Sequence, residues 1–301
     1  MLVRTPMTLL MNGGLASAAP AADVQPHALL HGALADRLER GDVDLPLPPR
    51  VATEVLSLTR DDEADVARLA KLLHQDPALA GHVLRIANSP AYLPRSPIVS
   101  LQQAVTHLGF TRLSEIALVA SMQSGVFKVP GHESELRGVW QHALASGGFA
   151  REIARKLRTN VESAFLCGLL HTIGKPLVLQ TAVTEAQKLG VPAKSEDVRM
   201  LVDHFHVEAG GLLAKRWALP GTVCDAIASY ASYPSGTSGP REPVITALAD
   251  RLAFFLIDDE TDDAAVRSHR SWIDLNLYPE DADDLLARAD GVSALVESML
   301  L

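Results

Sequence analysis

Two cysteines in 301 residues, Cys167 and Cys224, are too few and too far apart for a disulfide framework. Set among apolar neighbours, they read as reduced, buried thiols, and they place the chain in the cytoplasm. No apolar run approaches the roughly 20 residues that span a bilayer, so a membrane role is not expected. Positive charge is also short. With 27 Lys and Arg against 36 Asp and Glu, the formal net charge is −9, and such a surface repels phosphate backbones, which argues against nucleic acid as a partner. The sequence has no Gly-rich phosphate loop and no nucleophile elbow, and the Ser-rich stretch near residue 235 has the context of neither. Strict alternation of β-branched residues is missing too, so the expected fold class is all-α.

What is present is a succession of helix signals. Residues 1–27 are rich in Ala, Gly and Pro without periodicity and read as a flexible tail. Within them Arg4, the apolar Met7 to Met11 and the alanines from Ala16 to Ala22 imitate a secretory signal. Asn12, Gly13 and Gly14 break that apolar core, so export is not expected. Val51, Val55 and Leu58 share a helical face, as do Val66, Leu69, Ala70 and Leu73. Asp76-Pro77 starts a helix carrying Leu79, Val83, Ile86 and Ala87: Asp accepts the free first-turn amides, and Pro sits where no donor is needed. Asn88-Ser89-Pro90 ends it. Ser100 caps a helix through Ala104, Val105 and Leu108, with Gly109 as a left-handed stop, and another helix runs from about Leu113 to Met122.

A linker at 129–134 leads to a long helix with Trp140, His142, Phe149 and Ile153. The next helix, Glu162 to His171, is stopped by Gly174 and Pro176. Further helices fall near 195–216, 220–232, 243–257 and 280–299, with a flexible loop from Pro234 to Pro240 and an acidic turn from Asp258 to Asp263. The expected organisation is a tail (1–27), a first helical lobe (28–128), a second lobe (129–257) and a C-terminal helical extension (258–301). Leu285, Leu286, Val292, Leu295 and Met299 to Leu301 in that extension are candidates for self-association as a homodimer.

Taken in order, Leu45-Pro46, Asp76-Pro77-Ala78-Leu79, Leu84 to Ser89, Trp140-Gln141-His142, Gly168 to His171, Ile173-Gly174, His206 to Gly210, Trp217 and Leu219-Pro220 resemble the HDOD family, the HD-related output domains of bacterial signalling proteins. The resemblance runs from Leu45 to about Leu256. It implies two packed helical bundles, the second built on the HD phosphohydrolase fold. In catalytic relatives such as HD-GYP phosphodiesterases, metal is held by an early His, a His-Asp pair, further histidines and a late Asp. Carried onto this chain, the early His is His142, the pair becomes His171-Thr172, and the late Asp is Asp250. Where relatives often have a His-His pair, Tyr230-Ala231 stands.

Thr172 brings a neutral hydroxyl and no charge to offset a dication. The resemblance therefore implies a regulatory module without hydrolase activity, metal or cofactor, which binds other signalling proteins or a small anionic or nucleotide ligand. The alternative is a metal-dependent phosphohydrolase with an altered ligand set. The remnant-pocket candidates are His142, His171, Thr172, His206 and Asp250; for the first two, hydrogen-bonded core histidines are the competing reading. An unpaired carboxylate at Asp250 would be costly, so a partner such as His142 or Arg251 is expected.

Cys167 and His171 share a helix face, with Cys224 possible as a third ligand, but Cys-x-x-x-His is too weak a pattern to assign zinc. Asp203, His204, His206 and Glu208 read as a polar helix start on the surface, with His204 and Glu208 on one face and His206 pointing away. Solvent exposure accounts for His74, His82 and His107. Lys175 reads as a helix-end cap that could also meet a phosphate. Arg85 and Asn88 read as structural residues between the lobes, Asn88 in a left-handed conformation.

Overall fold

The computed structural model describes residues 26–58, 66–234, 240–258 and 262–300. Most of the anticipated tail, most of the Ser-rich loop, the middle of the acidic turn and Leu301 lie outside the described residues. Among those described there is no strand, as expected.

The first bundle consists of α2 (Arg50–Leu58), α3 (Val66–His74), α4 (Pro77–Ala87) and α5 (Leu101–Gln123), with α2, α3 and α4 all packed on α5. Both expected caps form. Asp76 accepts from the Leu79 amide at 3.0 Å, and Ser100 accepts from that of Gln103 at 3.2 Å. Gly109, at φ 78° and ψ 166°, breaks the helical path of α5, a conformation open to glycine and strained for other residues. The α4 terminus is pinned by Asn88, whose side chain donates to the carbonyls of Leu84 and Ile98 and accepts from the Ile98 amide. Asn88 therefore works within the first bundle, and its φ of −90° corrects the expected left-handed geometry.

The second bundle comprises α6 (Glu133–Leu157), α7 (Val161–Leu170), α8 (Gly174–Leu189), α9 (Ser195–Arg216), α10 (Gly221–Ser229) and α11 (Arg241–Ile257). Helix α6 packs against both α7 and α11, and α8 packs along α9. Helix α7 ends before Gly174 as expected, but the sequence reading placed no helix between there and 195, and α8 corrects that. Pro176 falls in the first turn, where a missing N–H costs nothing. Together α7 and α8 form a 29-residue stretch apolar enough to cross a membrane by composition, yet 89% of its most apolar window is buried inside the protein.

Helix α1 (Pro26–Glu39) lies on α8 and α9 through Leu30, Leu34 and Leu38, and Arg37 pairs with Glu185 of α8. The chain closes with α12 (Asp263–Arg267), α13 (Ser271–Asp274), α14 (Pro279–Leu286) and α15 (Ala289–Met299). Helix α15 packs on α6 and touches α5, so it joins the two bundles. Leu285 of α14 and Val292 and Met299 of α15 are buried, which removes these three from the face proposed for self-association. Gly148 explains the fit: a Cβ on it would stand 2.9 Å from the Val292 side chain.

Candidate functional site

Three helices deliver three donors to one point. His142 comes from the middle of α6, His171 from the end of α7 and Asp250 from α11. His142 Nε2 lies 2.8 Å from Asp250 Oδ1, and His171 Nε2 lies 3.0 Å from the same oxygen. The expected partner of Asp250 is thus His142, with His171 as a second. Burial by itself would push the Asp250 carboxyl up; hydrogen bonds from the two imidazoles outweigh it and hold the group well below the usual carboxylate range.

The ring of His171 constrains the proton count. Its Nδ1 lies 2.7 Å from the Gly168 carbonyl oxygen, so that nitrogen carries a hydrogen and donates. A carboxylate only accepts. The contact between His171 Nε2 and Asp250 Oδ1 therefore needs a hydrogen or a cation between the two atoms.

The donor atoms of His142, His171 and Asp250 all lie within 4.8 Å of one another. Two imidazoles and a carboxylate are donor kinds that zinc, iron and manganese accept, and three is the protein complement of a single-ion site with open positions. The set therefore fits one divalent cation by kind and number. Neither cysteine belongs to it. Cys167 is buried, with its Sγ 3.5 Å from the Thr222 carbonyl oxygen, and burial pushes its thiol up to about 12.

His206 corrects the sequence reading. It is buried, on the inward face of α9 with Val202 and Ala209, while His204 and Glu208 are exposed as expected. The i, i+4 rule grouped the residues properly; it does not say which face turns inward. His206 Nδ1 is 3.0 Å from the carbonyl oxygens of both Val202 and Asp203, and Nε2 accepts from the Tyr230 hydroxyl at 2.7 Å. The Tyr230 ring meets that of His171 edge-on at 4.6 Å. Tyr230 thus separates His206 from the three-donor cluster while linking the two. Burial raises its phenol, which stays neutral. Thr172 is buried, and its hydroxyl has no hydrogen-bond partner among the described residues.

A cavity of about 660 Å³ opens beside His142, walled by Val139, Leu179, Val198, Val202, Phe254 and Ile257. The Phe254 ring lies 4.4 Å from that of His142, and Lys175 Nζ lies 5.7 Å from the same Phe254 ring, at the cavity wall. Sequence reasoning missed Phe254 and the inward role of Tyr230. An apolar residue four places after Asp250 on α11 was the signal available for the first.

Burial lowers His142 and His206 below the ordinary histidine value, only partly opposed at His142 by Asp250. The unfolded chain takes up protons near pH 6.5 and the folded one resists, so stability is complete above that pH and falls below it. The expected urea midpoint is lower at pH 5.5 than at 7.5, with the difference reduced in His206→Gln.

The sequence profile of the HDOD domain matches residues 45–233, well over half of the chain. The chain belongs to the HDOD family. An HDOD domain protein of unknown function from Geobacter sulfurreducens superposes with a TM-score of 0.67 at 24% identity, covering 89% of this chain and 99% of that one. A protein provisionally named a phosphohydrolase, from Shewanella amazonensis SB2B, gives a TM-score of 0.63 at 22% identity and covers 89% and 98%. One provisionally named a signal transduction protein, from Marinobacter aquaeolei VT8, gives 0.62 at 23% identity and covers 93% and 67%. At these identities the likenesses establish the HDOD fold. An uncharacterized protein of Treponema pallidum (strain Nichols) is 25% identical over 242 residues, 77% of this chain, and the chain spans 45% of that relative's length.

Proposed function

We propose that this HDOD chain is a signalling module that works by binding and not by hydrolysis. The observation that carries this is the meeting of His142 and His171 on a single oxygen of Asp250, closed off on one side by the neutral Tyr230. With a hydrogen on each of those contacts the three groups satisfy one another, and a structural role needs nothing more. A two-ion hydrolytic centre requires further ligands, and where the resemblance places an Asp and a His-His pair the sequence supplies Thr172 and Tyr230-Ala231. The cavity beside His142 has an apolar wall that offers burial area to a partner protein's side chain or to a small ligand, and its rim carries Lys175 and Arg199 together with Glu135, Glu196, Asp203 and Asp258. The signalling name carried by the Marinobacter protein of the same fold is consistent with this reading. Location in the cytoplasm and self-association belong to the same proposal.

A second reading rests on the fit of the same donors to one cation. His142, His171 and Asp250 would hold it, and the chemistry it supplies is activation of water for phosphoester hydrolysis. The two readings separate on metal content of protein purified without chelator, assayed alongside hydrolysis of cyclic dinucleotides and phosphomonoesters. Far less than one ion per chain and no turnover is the expected result. Stoichiometric iron, manganese or zinc, with turnover abolished by His171→Ala, would overturn the binding-module proposal.

A further inference from the structure

A second cleft lies where the two bundles meet the C-terminal helices, and it shares no lining residue with the His142 cavity. It has a volume of about 370 Å³. Tyr92, from the turn after α4, and Arg112 of α5 form one wall; Arg151 and Arg155 of α6 form another; Arg288 stands at the start of α15. Four guanidinium groups on one cleft are unexpected in a chain of net charge −9. Their carboxylate partners are fewer. Arg112 and Arg151 both bond to the same oxygen of Glu115, at 2.8 and 2.6 Å, and Arg155 pairs with Glu152. Four positive charges against two negative leave the cleft with a local excess of two.

Two residues that line the cleft also carry buried donors without acceptors. Arg151 is 5% exposed at its side chain, with its guanidinium 4.2 Å from the centre of the Phe165 ring, and its Nε–H has no acceptor among the described residues. The Tyr92 hydroxyl is likewise buried and unpartnered. Such donors are costly to leave unmatched, which marks this junction of the bundles as polar and under-satisfied. The first turn of α15 borders the cleft at Gly291, where no atom crowds the glycine, and its helix dipole favours negative charge although the same turn carries Asp290.

We propose that this cleft binds the phosphoryl group of a small phosphorylated metabolite or nucleotide. An excess of two positive charges matches a phosphate dianion, and donors converging from separate walls suit a tetrahedral set of oxygens better than a planar carboxylate. The volume admits a ligand of roughly mononucleotide scale. Because Tyr92 and Arg112 belong to the first bundle, Arg151 and Arg155 to the second and Arg288 to the C-terminal helices, the bound anion holds all three together. That gives the binding module a ligand-dependent packing of its bundles.

The test is calorimetric titration of the full chain with inorganic phosphate, pyrophosphate, 5′-AMP and succinate. Saturable binding of at least one phosphoryl probe is expected, weakening with added salt and at least tenfold weaker in the Arg155→Gln/Arg288→Gln variant. Both of those side chains are solvent-exposed, so the variant keeps its fold, and its thermal midpoint verifies this. Binding should survive Asp250→Asn, which changes the His142–His171 cluster and no residue of this cleft. Absence of saturable phosphoryl binding, equal affinity for succinate, indifference to the double arginine change, or loss in Asp250→Asn but not in the arginine variant would each overturn the proposal.

Discussion

Gly174→Ala should cost about 3 kcal/mol or more, beyond the usual overpacking range, or prevent folding altogether. A Cβ at that position would stand 1.9 Å from the carbonyl oxygen of His206 and 2.5 Å from the amide nitrogen of Gly210. Both are backbone atoms of α9, so no side chain can rotate away and relief requires the helices to part. Gly210 faces the same crossing, with its would-be Cβ 2.9 Å from the Ile227 side chain and 3.5 Å from the Gly174 nitrogen. The neighbouring Gly211 supplies the control, because no atom lies within 4 Å of its would-be Cβ. There, Ala should stabilise α9 by up to about 1 kcal/mol through helix propensity. Urea denaturation of the two variants should therefore move in opposite directions, and equal effects would contradict the close helix crossing.

Gly174 also shows where the sequence could be read and where it could not. Signals that act within one turn were legible: the caps at Asp76 and Ser100, the break at Gly109 and the 195–216 helix all appear in place. Gly174 answers instead to α9, a partner some thirty residues away, and a glycine kept for close approach looks the same in sequence as one kept for a turn. Val292 and Met299 misled for the same reason: their apolar face was visible, but the notch at Gly148 that receives α15 was not. At the site, the pairing of His142 with Asp250 followed from the cost of an isolated buried carboxylate. His206 did not, since its inward position depends on how α9 rolls against α8 and α10. Only the assembled bundle shows Tyr230 filling the space between His206 and His171.

The second large effect is expected at the buried pair between α5 and α6. Glu115→Leu should destabilise the protein by about 3–5 kcal/mol, the range for removing one partner of a buried ion pair. Arg151 would then keep its charge in a largely closed setting. Burial already draws its guanidinium below the ordinary arginine value, and Glu115 is the main group opposing that shift. Arg112, the other residue on the same carboxylate oxygen, is 27% exposed and can turn toward solvent when Glu115 is gone. Arg151 is packed on Phe165 and cannot. Replacing both members, Glu115→Leu with Arg151→Met, removes the stranded charge and keeps apolar volume on both helices, so the double variant should recover a large part of the loss. Chemical denaturation of the two single variants and the double closes that cycle. If the double variant were as unstable as the sum of the singles, the pair would hold the bundles together by shape alone, and the charge coupling between α5 and α6 would be absent.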